Sequence, residues 1–205
     1  ELGAALCPER FDLPALQAIK SVLGQNYIAL YQQRPSPRGG GLIKLAWFQR
    51  YGTPPEERFT RIIQSWDTAN KAKELNDPWA CLTIAESDTG YYLLDVFRKR
   101  MEYPEGKRTV QSLAAKWQPS AVLIEDKSSG QSLIQELRLS SSLPVLGIQP
   151  ESDKVTRMSV ESPAIEAGRV WLPESAAWLI DFESELASFP QAKHDDQCDS
   201  LSQAL

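Results

Sequence analysis

The chain has 205 residues, with 22 Lys and Arg against 27 Asp and Glu, for a formal net charge of -5. That length supports a buried core, and 42% hydrophobic with 24% charged residues excludes a disordered chain. No apolar run approaches the roughly 18 to 20 residues of a transmembrane helix, and the acidic balance gives no global attraction to nucleic acid, leaving local basic surface to do any phosphate binding. Cys7, Cys81 and Cys198 are odd in number and far apart, against a disulfide framework or a thiolate zinc site. His194 is the only histidine, so a His-rich metal site is excluded and carboxylates must carry most of the chemistry. An opening Glu1 without methionine or a basic-then-apolar leader is expected of an excised piece of a longer chain without a secretory signal.

In chain order, Leu13, Leu16, Ile19 and Leu23 recur at helical spacing, with Asp12 able to cap the start and Gly24 to end it. Arg34 to Gly41 collects prolines and glycines as a linker does. A domain boundary is expected near Phe59, with residues 1–58 as a linker or tail segment and 59–205 as the main domain. Arg61 to Asp67, Trp79 to Ala85 and Tyr91 to Phe97 read as strands, the last two joined by a turn at Asp88, Thr89 and Gly90. Val110, Leu113, Ala114 and Trp117 then predict a crossover helix closed by Pro119. Ala121 to Glu125 is apolar enough for a central parallel strand. Helices over 131–139 and 154–167, a strand at Val145–Ile148, a short VWL piece at Val170, and helices over 177–189 and 195–205 complete the chain. The order predicts an α/β fold: a mixed sheet whose first three strands form an antiparallel meander, followed by parallel strands, with helices on both faces.

Three acidic clusters fall at element ends. Asp67 closes the first strand, Glu125 and Asp126 the central strand, and Asp195, Asp196 and Asp199 crowd the start of the last helix. A strand-end acid is ordinarily a turn residue, and one helix-start acid is ordinarily a cap. Three acids within five residues repel one another unless a cation or solvent relieves them. Parallel strands end at the same sheet edge, so Asp67 and Glu125 can converge there, and a nearby helix start can add a third carboxylate. Oxygen-only sites suit magnesium or manganese, and two such ions about 3.5 to 4 Å apart can activate water and stabilise a leaving oxygen.

The segments SWDTA, LIEDKSSG, GRVWLP and KHDDQCDSLSQAL together resemble the C-terminal nuclease domain of phage terminase large subunits, the DNA-packaging motors. The resemblance runs nearly end to end, including LCPERFDLPAL through YQQRPSPRGGGLIK, which is similar to the stretch between ATPase and nuclease domains in that family. It implies a ribonuclease H-like fold, cleavage of concatemeric duplex DNA with little sequence preference, and two carboxylate-bound Mg2+ or Mn2+ ions. It also implies work in the host cytoplasm at the procapsid, beside an ATPase domain, a portal and a small terminase subunit, with no membrane. By position, Asp67 would bridge both metals, Glu125 would be the second acid and Asp196 the third, with Asp195 as a possible further contact. Asp199 competes with Asp196, because DSLSQAL fits the pattern of related junction resolvases, and Asp126 replaces Glu125 if the strand ends one residue later. A resolvase or transposase-like enzyme, or an inactive domain that docks DNA or portal, are the alternatives. No GxxxxGK(S/T) loop is present, so ATP hydrolysis by that route is excluded.

Lys71, Lys73, Lys127, Lys154, Arg157, Lys193 and His194 flank the acidic segments and are candidate contacts to DNA phosphates, beside a second basic group at Arg98, Lys99, Arg100, Lys107 and Arg108. Asp88-Thr89-Gly90 spells an aspartic protease motif but lacks a second copy and reads as a hairpin turn. Trp66, Trp79 and Trp117 lie in strand or helix patterns and are expected to be core, not a base-stacking platform.

Overall fold

The computed structural model describes residues 12, 14–17, 19, 41–68, 78–127, 129–191 and 194–205. Two compact units divide between Gly40 and Gly41. In the first, Asp12 Oδ1 accepts the Ala15 amide at 2.8 Å, the capping bond expected of a helix start, and residues 14–17 are helical. Ile19 is helical as well, while Leu13, Leu23, Gly24 and residues 34–40 of the linker lie outside the described residues.

The second unit is built on seven strands: β1 (Gln49–Tyr51), β2 (Phe59–Asp67), β3 (Trp79–Ser87), β4 (Tyr91–Lys99), β5 (Ala121–Glu125), β6 (Val145–Ile148) and β7 (Val170–Pro173). Its helices are α1 (Tyr103–Trp117), α2 (Ser129–Ser140), α3 (Lys154–Glu166), α4 (Leu179–Ser188) and α5 (Asp196–Ala204). The strands lie in the order β1-β7-β4-β3-β2-β5-β6. β2, β3 and β4 form the antiparallel meander, while β5 runs parallel to both β2 and β6. This is the mixed sheet expected from the strand order.

Alternation along the strands builds a large core on each face of the sheet, with a smaller cluster at Tyr51, Ala85 and Tyr92. Trp66, Cys81, Val122 and Ile124 face Val110 of α1 and Leu133 and Leu137 of α2. Leu82, Ile84, Leu93 and Val96 face Met158 and Ile165 of α3, Phe182 and Leu186 of α4, and Cys198 and Leu201 of α5. With helices on both sides, every residue of β3 but Glu86 is buried, polar Thr83 and Ser87 included. Trp66 and Trp79 are core as expected, their rings edge to face with centroids 6.5 Å apart. Trp117 is half-buried, its indole N–H donating to Asp95 at 3.2 Å.

Local chemistry sets the element ends. Pro104 opens α1, where its missing amide costs nothing, and Gln118 closes it in the left-handed region at φ 47 before Pro119. Asp153 caps α3, its Oδ1 accepting the Val155 and Thr156 amides at 3.0 Å each. Asp88-Thr89-Gly90 is the β3–β4 turn, closed by the Ser87 amide on Gly90 O at 2.8 Å. Cys81 and Cys198 are buried free thiols.

The compact unit begins at Gly41, ahead of the boundary expected near Phe59. Ile43 and Phe48 are buried in the α3–α5 core, and β1 pairs in parallel with β7. Tyr51 donates its hydroxyl to Leu93 O at 2.6 Å, which pins β1 to the sheet. The VWL piece is β7, which joins β4 in parallel through Tyr91–Val170. Among the described residues no helix is long and apolar enough to cross a membrane.

Candidate metal centre

The parallel pairing of β2 and β5 brings the ends of both strands to one sheet edge, with Trp66 in register with Ile124. Trp66 and Ile124 face α1 and α2, so by alternation Asp67 and Glu125 share the opposite face. Gln203 of α5 donates to Ser65 Oγ at 3.0 Å, which lays the last helix across that face. Asp126 lies beyond the strand and leads elsewhere: its amide donates to Ile148 O at 2.7 Å and its Oδ2 meets Gln149 Nε2 at 3.4 Å. The geometry therefore favours Glu125 over Asp126.

The turn after β5 is built around Gly130. A Cβ there would stand 1.9 Å from the Glu125 carbonyl oxygen, so a side chain and the strand end cannot share the space. Gly130→Ala is expected to displace Glu125 and destabilise the fold by about 1–3 kcal/mol, the usual range for overpacking. Urea unfolding checks this, and a variant with the stability of the parent would show that the turn relaxes freely.

On α5, Asp195 and Asp199 lie one turn apart and share a lysine. Lys154 Nζ donates to Asp195 Oδ1 at 2.7 Å and also pairs with Asp199 Oδ2, while Arg157 donates to Asp199 Oδ1 at 3.0 Å. Asp196 is turned a quarter of the way round the helix, where Arg98 donates to its Oδ2 at 3.1 Å. The helix thus presents Asp199 toward α3 and Asp196 toward the end of β4.

Burial pushes the Asp67 carboxyl well above the usual range, and the neighbouring charges of Asp199, Asp196 and Glu125 push it further against the pull of Lys154. Burial also raises Asp199 and Asp196, with Lys154 opposing the first and Arg98 the second. Burial pulls the Lys154 ammonium down, but its bonds to Asp195 and Asp199 outweigh that and hold it above its ordinary value.

Among the described residues no three His, Cys, Asp or Glu side chains stand ready to hold a metal ion as placed. The acids are instead turned onto basic side chains: Asp195 and Asp199 onto Lys154, Asp196 onto Arg98, and Glu125 onto Lys127 at 3.3 Å. The donor set nonetheless fits a hard divalent cation. It is all carboxylate oxygen, and its deepest member, Asp67, is a buried acid among other acids, where a cation would relieve repulsion and desolvation together.

The structure places the candidate DNA contacts unevenly. Lys127 is exposed beside Glu125, whereas Lys154 and Arg157 are engaged with the acids of α5. His194 is half-buried and lines a cleft with Arg98, Lys99, Arg100 and Gln197. Lys71, Lys73 and Lys193 lie outside the described residues. Sequence reasoning did not anticipate Arg98 as a partner of Asp196, or Glu185, a buried acid of α4 that reaches the start of α5. Helical spacing gives a weak signal for Glu185, because Phe182, Glu185 and Leu186 share the buried stripe of α4.

A sheet with an antiparallel meander extended by parallel strands, and acids at the shared end of β2 and β5, defines a ribonuclease H-like domain. Residues 64–205 match the family model described as the terminase RNaseH-like domain, and the chain belongs to that family. In fold it is similar to the large terminase nuclease of the thermophilic phage G20c with bound magnesium, at TM-score 0.62 and 14% identity over 82% of this chain and 97% of that one. The same phage nuclease has been solved with zinc and with cobalt. The Thermus phage P74-26 large terminase nuclease domain is similar at TM-score 0.60 and 13% identity, over 80% and 93% of the two chains. A large terminase from another thermophilic bacteriophage, in complex with ATP-gamma-S, matches at TM-score 0.61 and 13% identity over 89% of this chain, which spans 52% of that protein's length. No curated protein sequence matches the chain significantly.

Proposed function

We propose that this domain is the metal-dependent endonuclease of a phage DNA-packaging terminase, cutting duplex DNA with little sequence preference. The observation that carries the reading is the convergence of Asp67, Glu125 and the acids of α5 at one sheet edge, with Asp67 buried among them. Asp67, Glu125 and Asp199, with Asp195 and Asp196 beside it, would hold two Mg2+ or Mn2+ ions. Divalent ions held this way supply a nucleophile at neutral pH and neutralise charge on the leaving oxygen.

The chain's own residues do the rest. Asp67 and Glu125 are fixed by neighbouring parallel strands, which holds their carboxylates on a rigid edge. Lys154 and Arg157 pair with Asp199 and oppose the rise that burial gives its carboxyl. Lys127, His194 and the Arg98–Arg100 group stand near this edge, where they can contact phosphates without reading bases. In the whole protein, residues ahead of Gly41 would lead from an ATPase domain, and the portal, the small terminase subunit and host-cytoplasmic DNA concatemers would be its surroundings.

The test is purified protein on supercoiled plasmid, linear duplex and a four-way junction, each with Mg2+, Mn2+ or EDTA. Cleavage of plasmid and linear duplex with metal and none in EDTA is expected. A strong preference for the junction would move the reading to a resolvase, and no cleavage with either ion would leave a docking domain.

A further inference from the structure

The start of α5 is held in an unusual way. The first amides of a helix have no partners within it, and the N-cap side chain ordinarily accepts one or two of them. Asp195 occupies the N-cap position but makes no capping bond, and its Oδ1 accepts from Lys154 at 2.7 Å instead. Glu185 of α4 takes its place. Glu185 Oε1 accepts the Gln197 amide at 2.7 Å and the Cys198 amide at 3.2 Å, and Oε2 accepts Gln197 Nε2 at 2.6 Å.

Glu185 is only 8% exposed, and burying a carboxylate is costly unless its oxygens are well satisfied. Three hydrogen bonds and the positive end of α5 offset that cost. Glu185 Oε2 also lies 4.0 Å from the Arg98 guanidinium, which in turn holds Asp196 at 3.1 Å. Glu185 therefore grips the first turn of α5 through its amides and lies beside the guanidinium that holds Asp196.

We propose that Glu185 is a positioning residue for the metal centre. It fixes the height and rotation of the first turn of α5, so that Asp195 is released from capping and Asp199 is presented toward Asp67. This rests on the reading of the α5 acids as metal ligands and adds to it a supporting carboxylate that touches neither metal nor DNA. Partners of this kind, one step removed from the ligands, set metal affinity more than they set the intrinsic chemistry.

The experiment compares Glu185→Asp and Glu185→Gln with the parent chain. Asp keeps the charge but withdraws the oxygens by one methylene; Gln keeps the length and an acceptor for the two amides, with the Gln197 side chain able to turn over and accept in its place. The readouts are Mn2+ binding by calorimetry, the Mn2+ dependence of plasmid cleavage, and hydrogen exchange at the Gln197 and Cys198 amides. Glu185→Asp is expected to speed exchange at both amides and to weaken half-saturation by Mn2+ about 10- to 100-fold, with a smaller change in rate at saturating metal. Glu185→Gln is expected to stay within about threefold of the parent in Mn2+ dependence. Faster exchange in Glu185→Asp with unchanged Mn2+ dependence would reduce Glu185 to a structural cap and overturn the proposal, as would equal losses in the Gln variant. A parent chain that binds no Mn2+ would overturn the metal reading itself, on different data from the variant comparison.

Discussion

Asp67→Asn is expected to lower duplex cleavage by about 100- to 1000-fold, the scale of losing one group aimed at transition-state charge, and at the same time to raise the melting temperature of the metal-free protein. The two effects have one cause. Asp67 is a buried carboxylate whose proton is held by desolvation and by Asp199, Asp196 and Glu125. A carboxyl raised in the folded state contributes stability that is complete below its unfolded pKa and is lost as the pH rises through the folded value. Asparagine has no such proton to lose. The gain should therefore be absent at acid pH and grow toward neutrality, at about 2–4 °C for each kcal/mol in a chain of this size. Thermal unfolding in EDTA across a pH series measures it. Parental cleavage in the variant would remove Asp67 from the centre, and a melting temperature that falls at neutral pH would contradict the electrostatic picture.

Asp199→Asn and Asp196→Asn should separate. Asp199 heads the charged neighbours acting on Asp67, and its side chain is 6% exposed between Lys154 and Arg157. Asp196 is directed onto Arg98. Loss of Asp199 is expected to reduce cleavage about 100-fold at saturating Mn2+, and loss of Asp196 less than about tenfold, chiefly through weaker metal binding. The reverse order would restore Asp196 as the third acid.

The sheet and the two strand-end acids were readable because each rests on a strong local signal. SWDTA and AVLIE carry their acids at the end of a β-type run, and period-two alternation then places Asp67 and Glu125 on one face once the strands are known to be parallel. The choice between Asp196 and Asp199 was not readable. Both fit the first turn of a helix, and the packing of α3, which brings Lys154 and Arg157 to one side of α5, gives them different neighbours that no local pattern announces. Lys154 and Arg157 themselves look like solvated helix residues until α3 and α5 are brought together. Glu185 sits in FESELAS, where an acid ordinarily faces solvent, and its burial follows from the crossing of α4 and α5. β1 has three residues, Gln-Arg-Tyr, too few for alternation to register.

That short β1 has a practical consequence. The family match starts at residue 64, inside β2, and the pairing partner that covers the outer side of β7 comes from Gln49–Tyr51, well upstream of it. A fragment trimmed to the match, or even to Phe59, would leave Val170–Pro173 with a row of unpaired amides and carbonyls, a template on which a second molecule can add a strand. Recombinant versions that start at or before Gly41 keep this border closed and retain Ile43 and Phe48 under the sheet.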